Sequence, residues 1–161
     1  MKQMLFIITN LTLAALFFSM IAFTAPLGNR IASGKDDAKA VAAIRAVIDE
    51  QAAAWNRGDI EGYMRGYARS PETVFVSGDT VTRGWAVVLD RYKKGYDTRE
   101  KMGTLSFSDL EIKVLAKDTA VAIGRWQLTR AKDTPHGRFT LIFRRTSEGW
   151  RIIHDHTSSA S

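Results

Sequence analysis

The residues with the clearest chemical potential lie near the end of the chain, in the segment GWRIIHDHTS, residues 149–158. If this segment is a β-strand, His154 and His156 point the same way, roughly 6.6 Å apart along the backbone, and Asp155 points the opposite way. The three side chains therefore do not form one triad. Imidazoles change charge near neutral pH, so the two histidines are our candidate catalytic acid, base or ligand-binding groups. The alternative is that they only tie the last strand to its neighbours or to a second subunit.

The face that these histidines occupy depends on strand register. A four-residue turn before the last strand pairs Arg145 with Trp150. In that register the two histidines share a face with Leu141 and Phe139, whose apolar side chains suit a cavity wall. A shift of one residue places Asp155 on that face instead.

Two histidines two residues apart on a strand also resemble half of a zinc site, which needs a third protein ligand. No third ligand is apparent, because His136 stands beside Pro135 and Gly137 in the preceding hairpin, where a solvated loop residue is expected. We therefore predict no metal site. The chain also has no nucleophile elbow, P-loop or dinucleotide glycine motif, so we predict no cofactor.

Aromatic residues supply the candidate ligand-binding side chains, because cavities for apolar molecules are lined by such groups. The candidates are Trp55, Tyr63, Trp85, Tyr92 and Trp126. An apolar or aromatic small molecule is the predicted partner. The competing interpretation is that these side chains are ordinary core residues. The phenols of Tyr63 and Tyr92 are the most informative, since a buried phenol needs a hydrogen-bond partner.

Apolar residues recur at steps of three or four in three segments, which predicts three helices. The first begins near Asp36 or Asp37 and ends at Gly58, the second is capped by Asp59, and the third begins near Gly84. Between the last two helices, residues 73–82 have the β-branched residues and the turn chemistry of a small hairpin.

The last part of the chain predicts four long antiparallel strands, at about residues 104–116, 119–131, 137–146 and 149–158. Apolar alternation in the first of them slips by one residue near Ser108-Asp109, which predicts a β-bulge that bends the sheet. Helices followed by a curled antiparallel sheet indicate an α+β fold, shaped as a cone with three helices closing a pocket.

The first residues predict export. Lys2 precedes an apolar stretch that runs to Ala25, so residues 1–25 are expected to be a signal peptide, followed by a linker at residues 26–36 and a domain at residues 37–158. The expected location is the periplasm or the exterior. The alternative is an inner-membrane anchor formed by residues 4–25, because about 20 apolar residues span a bilayer.

Composition limits the remaining function classes. The chain has no cysteine, so core burial alone must stabilise the domain. Its net charge of +6 is dispersed over 161 residues without a long run of lysine or arginine. We therefore do not expect nucleic-acid binding.

The order of these elements and the ending GWRIIHDHTS resemble the nuclear transport factor 2-like superfamily, in its SnoaL-like branch. The segments VFVSG at residues 74–78, TRGW at residues 82–85 and GRW at residues 124–126 resemble a bacterial subgroup of exported proteins with that domain. The ending is also similar to the association domain of calcium/calmodulin-dependent protein kinase II.

This resemblance implies a curved sheet whose concave side is closed by the first helix, and a homodimer or higher homo-oligomer that forms through the sheet. The family includes isomerases, dehydratases and cyclases, and also modules without chemistry, so the fold does not choose between them. Enzymatic relatives place an Asp, a His or a Tyr in the cavity. Two classes of function therefore fit the sequence: a small-molecule protein with proton transfer in its cavity, or a non-catalytic binding or oligomerisation module.

Overall fold

The computed structural model describes residues 34–160, which form four helices and a sheet of six strands. The predicted signal peptide and most of the predicted linker lie outside the described residues. In chain order the elements are α1 (Gly34–Asn56), α2 (Ile60–Met64), β1 (Val74–Ser77), β2 (Thr80–Arg83), α3 (Trp85–Gly95), α4 (Arg99–Met102), β3 (Thr104–Ala116), β4 (Thr119–Thr129), β5 (His136–Thr146) and β6 (Gly149–Thr157).

The helices follow the predicted pattern. The apolar face of α1 buries Ile44, Ile48 and Trp55. Gly58 has a φ of +85°, a conformation that glycine adopts without strain, and it separates α1 from α2. Asp59 caps α2 as predicted, since its side chain accepts a hydrogen bond from the backbone N–H of Gly62.

The sheet has the order β2-β1-β6-β5-β4-β3. Its strands pair in antiparallel fashion, except that β1 lies parallel to β6. The predicted bulge in β3 is confirmed: pairing with β4 shifts between Ser108 and Glu111, and Asp109 has a φ of +51°. The sheet is curved and unclosed, and with the helices it forms the α+β cone that the sequence predicts.

The core lies between the concave face of this sheet and the helices. Its largest fully buried side chains include Ile44 and Ile48 of α1 and Phe143 of β5. Helix α1 packs against β3 and β6, so it covers the concave face. None of the described helices is long and apolar enough to span a membrane.

Helix α4 is the one described helix that the sequence did not predict. It is capped by Thr98, whose side chain accepts from the backbone N–H of Lys101. Arg99 of α4 donates to the backbone oxygens of Trp55 and Asn56 at 2.9 and 3.0 Å. These bonds attach α4 to the end of α1 and fix the chain before it enters β3.

The register of β6 differs from the predicted one. Arg145 does pair with Trp150, as the four-residue turn requires. The pairing then shifts between Ile142 and Phe143, so that Ile153 is an extra residue on β6. This bulge in β6 reverses the faces of the residues that follow it on the strand, as a one-residue slip must.

Candidate functional site

A cavity of about 410 Å³ lies between the concave face of the sheet and the helices. This volume is in the range of small-molecule sites, about 300–1,000 Å³. Its wall includes apolar side chains of the sheet, among them Leu141 and Phe139. The predicted hollow interior is therefore present in the structure.

All four tyrosines of the chain line this cavity, and they form a row. Tyr67 lies 6.0 Å from Tyr63 between ring centroids, Tyr63 lies 5.2 Å from Tyr92, and Tyr92 lies 6.0 Å from Tyr96. The first three are buried, and Tyr96 is half-buried. The row therefore leads from the interior towards the opening of the cavity.

A single carboxylate, that of Asp155, lies at the buried end of the tyrosine row. Only 3% of the residue is exposed, and it is part of the cavity wall. The Tyr67 hydroxyl donates to Asp155 Oδ2 at 2.6 Å, and the Thr157 hydroxyl donates to Oδ1 at 2.8 Å. Each carboxylate oxygen has two acceptor positions, so Asp155 keeps acceptor capacity for a ligand.

Burial raises the pKa of Asp155 from its ordinary 3.8 to about 6. The hydrogen bonds from Tyr67 and Thr157 act in the opposite direction, because they favour the charged form. The nearby His156 lowers this pKa as well. A carboxyl group with a pKa near 6 exchanges its proton close to neutral pH, which suits a general acid or base.

The buried tyrosines stay protonated at neutral pH. Burial is the largest cause that raises the pKa of Tyr63, Tyr67 and Tyr92, and the negative charge of Asp155 also contributes. A neutral phenol donates a hydrogen bond, so these side chains are fixed donors inside an apolar cavity.

The predicted inward orientation of the two histidines is wrong. The extra residue in β6 turns His154 and His156 to the outer face of the sheet, where His154 pairs with Ile142 and His156 is exposed. Asp155 and Thr157 take the inner positions instead, opposite Leu141 and Phe139. His136 is also outside the cavity wall, in contact with the backbone oxygen of Thr134.

Four of the five predicted aromatic residues line the cavity: Trp55, Tyr63, Tyr92 and Trp126. Trp85 lies elsewhere, because its indole N–H donates to the backbone oxygen of Met64 and its ring stacks under the Arg69 guanidinium at 4.5 Å. Whether any of these side chains binds a ligand stays a prediction.

The polar cavity residues that were missing from the sequence-based set include Tyr67, Asp155, Arg91 and Arg130. Tyr67 follows the apolar face of α2, so its helical spacing was the available signal. Arg91 lies beside Tyr92 on α3, whereas Arg130 follows the end of β4 and gives no periodic signal. Within residues 34–160, no three His, Asp or Glu side chains lie close enough together to share a metal ion.

Comparison with known proteins identifies the family. The family model for the SnoaL-like domain matches residues 44–161, which is most of the chain. The chain belongs to the SnoaL-like domain family. No curated protein matches it.

Solved structures support the same assignment of this SnoaL-like domain. A nuclear transport factor 2-like protein of unknown function from Shewanella oneidensis is 39% identical, with a TM-score of 0.71 over 73% of this chain and 98% of that one. A superfamily protein from Salmonella enterica is 22% identical, with a TM-score of 0.63 over 77% and 93%. A putative scytalone dehydratase from Novosphingobium aromaticivorans is 9% identical, with a TM-score of 0.68 over 80% and 89%. The last two likenesses show the fold alone.

Proposed function

We propose that this SnoaL-like domain binds an apolar small molecule and transfers a proton with Asp155, in an isomerase, dehydratase or cyclase type of reaction. The observation that supports the proposal is a buried carboxylate in the wall of an aromatic cavity, held by Tyr67 and Thr157. A buried acid with a raised pKa in a cleft is a physical marker of a functional site.

The chemistry follows from the two kinds of polar group in the cavity. Above a pH of about 6, Asp155 is ionised and can remove a proton from a carbon next to a carbonyl group. The neutral phenol of Tyr63 or Tyr92 can donate to the carbonyl oxygen and stabilise the charge that develops there. Tyr67 orients the carboxylate through its hydrogen bond. Transfer of this proton from Asp155 to another carbon gives an isomer, and its transfer to a hydroxyl group at the β-carbon releases water and gives a dehydration product.

Carbon-bound hydrogen exchange tests this proposal without knowledge of the natural substrate. A cyclic ketone, 2-tetralone, is incubated with the protein in D₂O, and deuterium incorporation next to the carbonyl is followed by proton NMR. We expect exchange above the buffer rate, and Asp155→Asn should lower the protein-dependent rate by about 10²-fold or more.

The matched control is Asp79→Asn, which makes the same chemical change at an exposed turn residue between β1 and β2. It should exchange at the wild-type rate. Equal rates for wild type and Asp155→Asn would refute the assignment of Asp155 as the proton-transfer group. Native mass spectrometry of protein purified from its own host adds the chemical class of any molecule that co-purifies.

The name of the Novosphingobium aromaticivorans neighbour, a putative scytalone dehydratase, agrees with a dehydration reaction. At 9% identity that likeness concerns the fold. The proposal therefore rests on the residues of this cavity.

We also propose that the chain is exported, on the basis of Lys2 and the apolar stretch that runs to Ala25.

We further propose that the chain forms a homo-oligomer through the outer face of its sheet. Ile123 is 43% exposed on that face, next to the half-buried Val121 and Ile142 on the same side. Ile123→Lys should shift the protein towards monomer in light scattering. A wild type that is already monomeric at every concentration would refute the assembly.

A further inference from the structure

The opening of the cavity carries positive charge. Arg91 of α3 and Arg130 after β4 both line the cavity and are half-buried. Burial raises the pKa of Tyr96, and the charges of Arg130 and Arg91 oppose this rise. Both guanidinium groups therefore act on the same phenol, at the outer end of the tyrosine row. Asp155 lies at the other end, beside Tyr67.

Each arginine is held by the fold. Arg91 donates to the Thr82 hydroxyl at 2.9 Å, and its guanidinium lies 5.1 Å from the centre of the Phe75 ring, which also lines the cavity. Arg130 lies 3.7 Å from a carboxylate oxygen of Asp133. A guanidinium has five N–H donors, so these contacts leave donors for a ligand.

Arg130 also has an unusual unsatisfied group. Among the described residues, its Nε is buried and has no hydrogen-bond partner. A buried N–H without an acceptor is costly, and such groups are rare in native structures. A ligand oxygen at the opening reaches this N–H only if the guanidinium shifts outward, so the N–H groups that line the cavity are the first donors for a ligand.

We propose that the ligand is a monocarboxylate with an apolar, unsaturated body, whose carboxylate binds between Arg91 and Arg130 while its body lies along the tyrosine row towards Asp155. This inference rests on the proposed function and names its substrate class. Guanidinium groups bind carboxylates through paired N–H bonds. The aromatic wall fits a planar ring system.

Charge favours a monoanion over a phosphate or sulfate dianion. The two arginines and the exposed Asp133 leave one net positive charge at the opening. One carboxylate neutralises it, whereas a dianion adds a charge that no other residue lining the cavity compensates. The ionised Asp155 repels an anion, so the carboxylate stays at the opening and the reacting part of the molecule reaches the buried acid. The same arrangement that selects the ligand therefore orients it.

Two probes with the same naphthalene ring system, one anionic and one neutral, test the inference. The full chain is titrated by calorimetry with 2-naphthoate and with 2-naphthamide at about pH 7.5, where the first is an anion and the second is neutral. We expect 2-naphthoate to bind at least about tenfold more tightly, since hydrogen bonds to charged groups are the strong ones.

Variants of the two arginines test whether these residues cause the preference for 2-naphthoate over 2-naphthamide. Arg91→Gln and Arg130→Gln should each weaken 2-naphthoate binding by at least about fivefold and leave 2-naphthamide binding unchanged. Arg138→Gln is the matched control, because it removes the same charge from a strand residue that does not belong to the cavity wall. It should bind both probes as the wild type does.

The outcomes separate this inference from the proposed function. Equal affinity of the wild type for both probes, or an equal loss in Arg138→Gln, overturns the carboxylate site and leaves the apolar cavity standing. Tighter binding of 2-naphthyl phosphate than of 2-naphthoate overturns the choice of a monocarboxylate. Absence of binding for both naphthyl probes overturns the small-molecule function as well.

Discussion

Replacement of Asp155 by asparagine should change how the stability of the domain depends on pH. Burial raises the pKa of this carboxyl from 3.8 to about 6. Between these values the folded state holds the proton more tightly than the unfolded state does. The free energy of unfolding therefore falls as pH rises from about 4, and it levels off above the folded pKa of about 6.

The size of the effect follows from the shift. One pKa unit corresponds to about 1.4 kcal/mol, so a rise of this size costs the folded protein about 3 kcal/mol once Asp155 is ionised. Asparagine has nearly the same shape and no titration in this range. It can accept from the Tyr67 hydroxyl, while the Thr157 hydroxyl rotates to accept from the amide. Any difference in the free energy of unfolding that comes from these hydrogen bonds is nearly independent of pH, because neither partner of asparagine titrates in this range.

Urea unfolding followed by tryptophan fluorescence measures this difference. The wild type should lose about 3 kcal/mol between about pH 4 and about pH 7 relative to Asp155→Asn. Asp79→Asn, at its exposed turn, should follow the wild-type curve. If wild type and Asp155→Asn run parallel across this range, the carboxyl is not held in a desolvated site, and the reasoning about its proton fails.

Three further changes probe the neighbourhood of this group. Tyr67→Phe removes a hydrogen bond that lowers the pKa of Asp155, so the midpoint of the stability curve should move up by about one pH unit or more, and an unchanged midpoint would contradict the contact. His156→Ala, on the outer face, should keep the rate of deuterium incorporation into 2-tetralone within about twofold of the wild-type rate. A loss as large as that of Asp155→Asn would show that His156 takes part in proton transfer. Phe143→Ala should cost about 3–5 kcal/mol by urea unfolding, whereas Leu115→Ala at an exposed position should cost little; equal losses would refute the core assignment.

Local pattern predicted most of the fold because most elements here are long and amphipathic. The spacing of Ile44, Ile48 and Trp55 identifies α1, and the strand bounds of the second half differ from the predicted ones by two residues or fewer. The phase slip near Asp109 revealed the bend of β3. Helix α4 has only four residues, which is too short for a periodic signal.

The candidate site was predicted less well, since its polar groups come from positions that periodicity does not mark. Tyr63 and Tyr92 lie on apolar helix faces and were found. Arg130 follows the end of β4, and its place in the cavity wall depends on the chain's path after that strand. A residue of this kind is identified only once the three-dimensional arrangement is known.

Asp155 faces the cavity in place of the two histidines because of the bulge in β6. The sequence marks this bulge with the adjacent pair Ile152-Ile153, a break in apolar alternation of the same kind that revealed the bulge in β3. The bulge itself follows from a change of neighbouring segment along β6. The backbone of Ile152 bonds to Gly66 and Ala68, whereas β1 pairs with β6 only from His154 onward. The extra residue lies at this change of partner, so the face that carries the acid is decided by contacts with a segment more than 80 positions earlier in the chain.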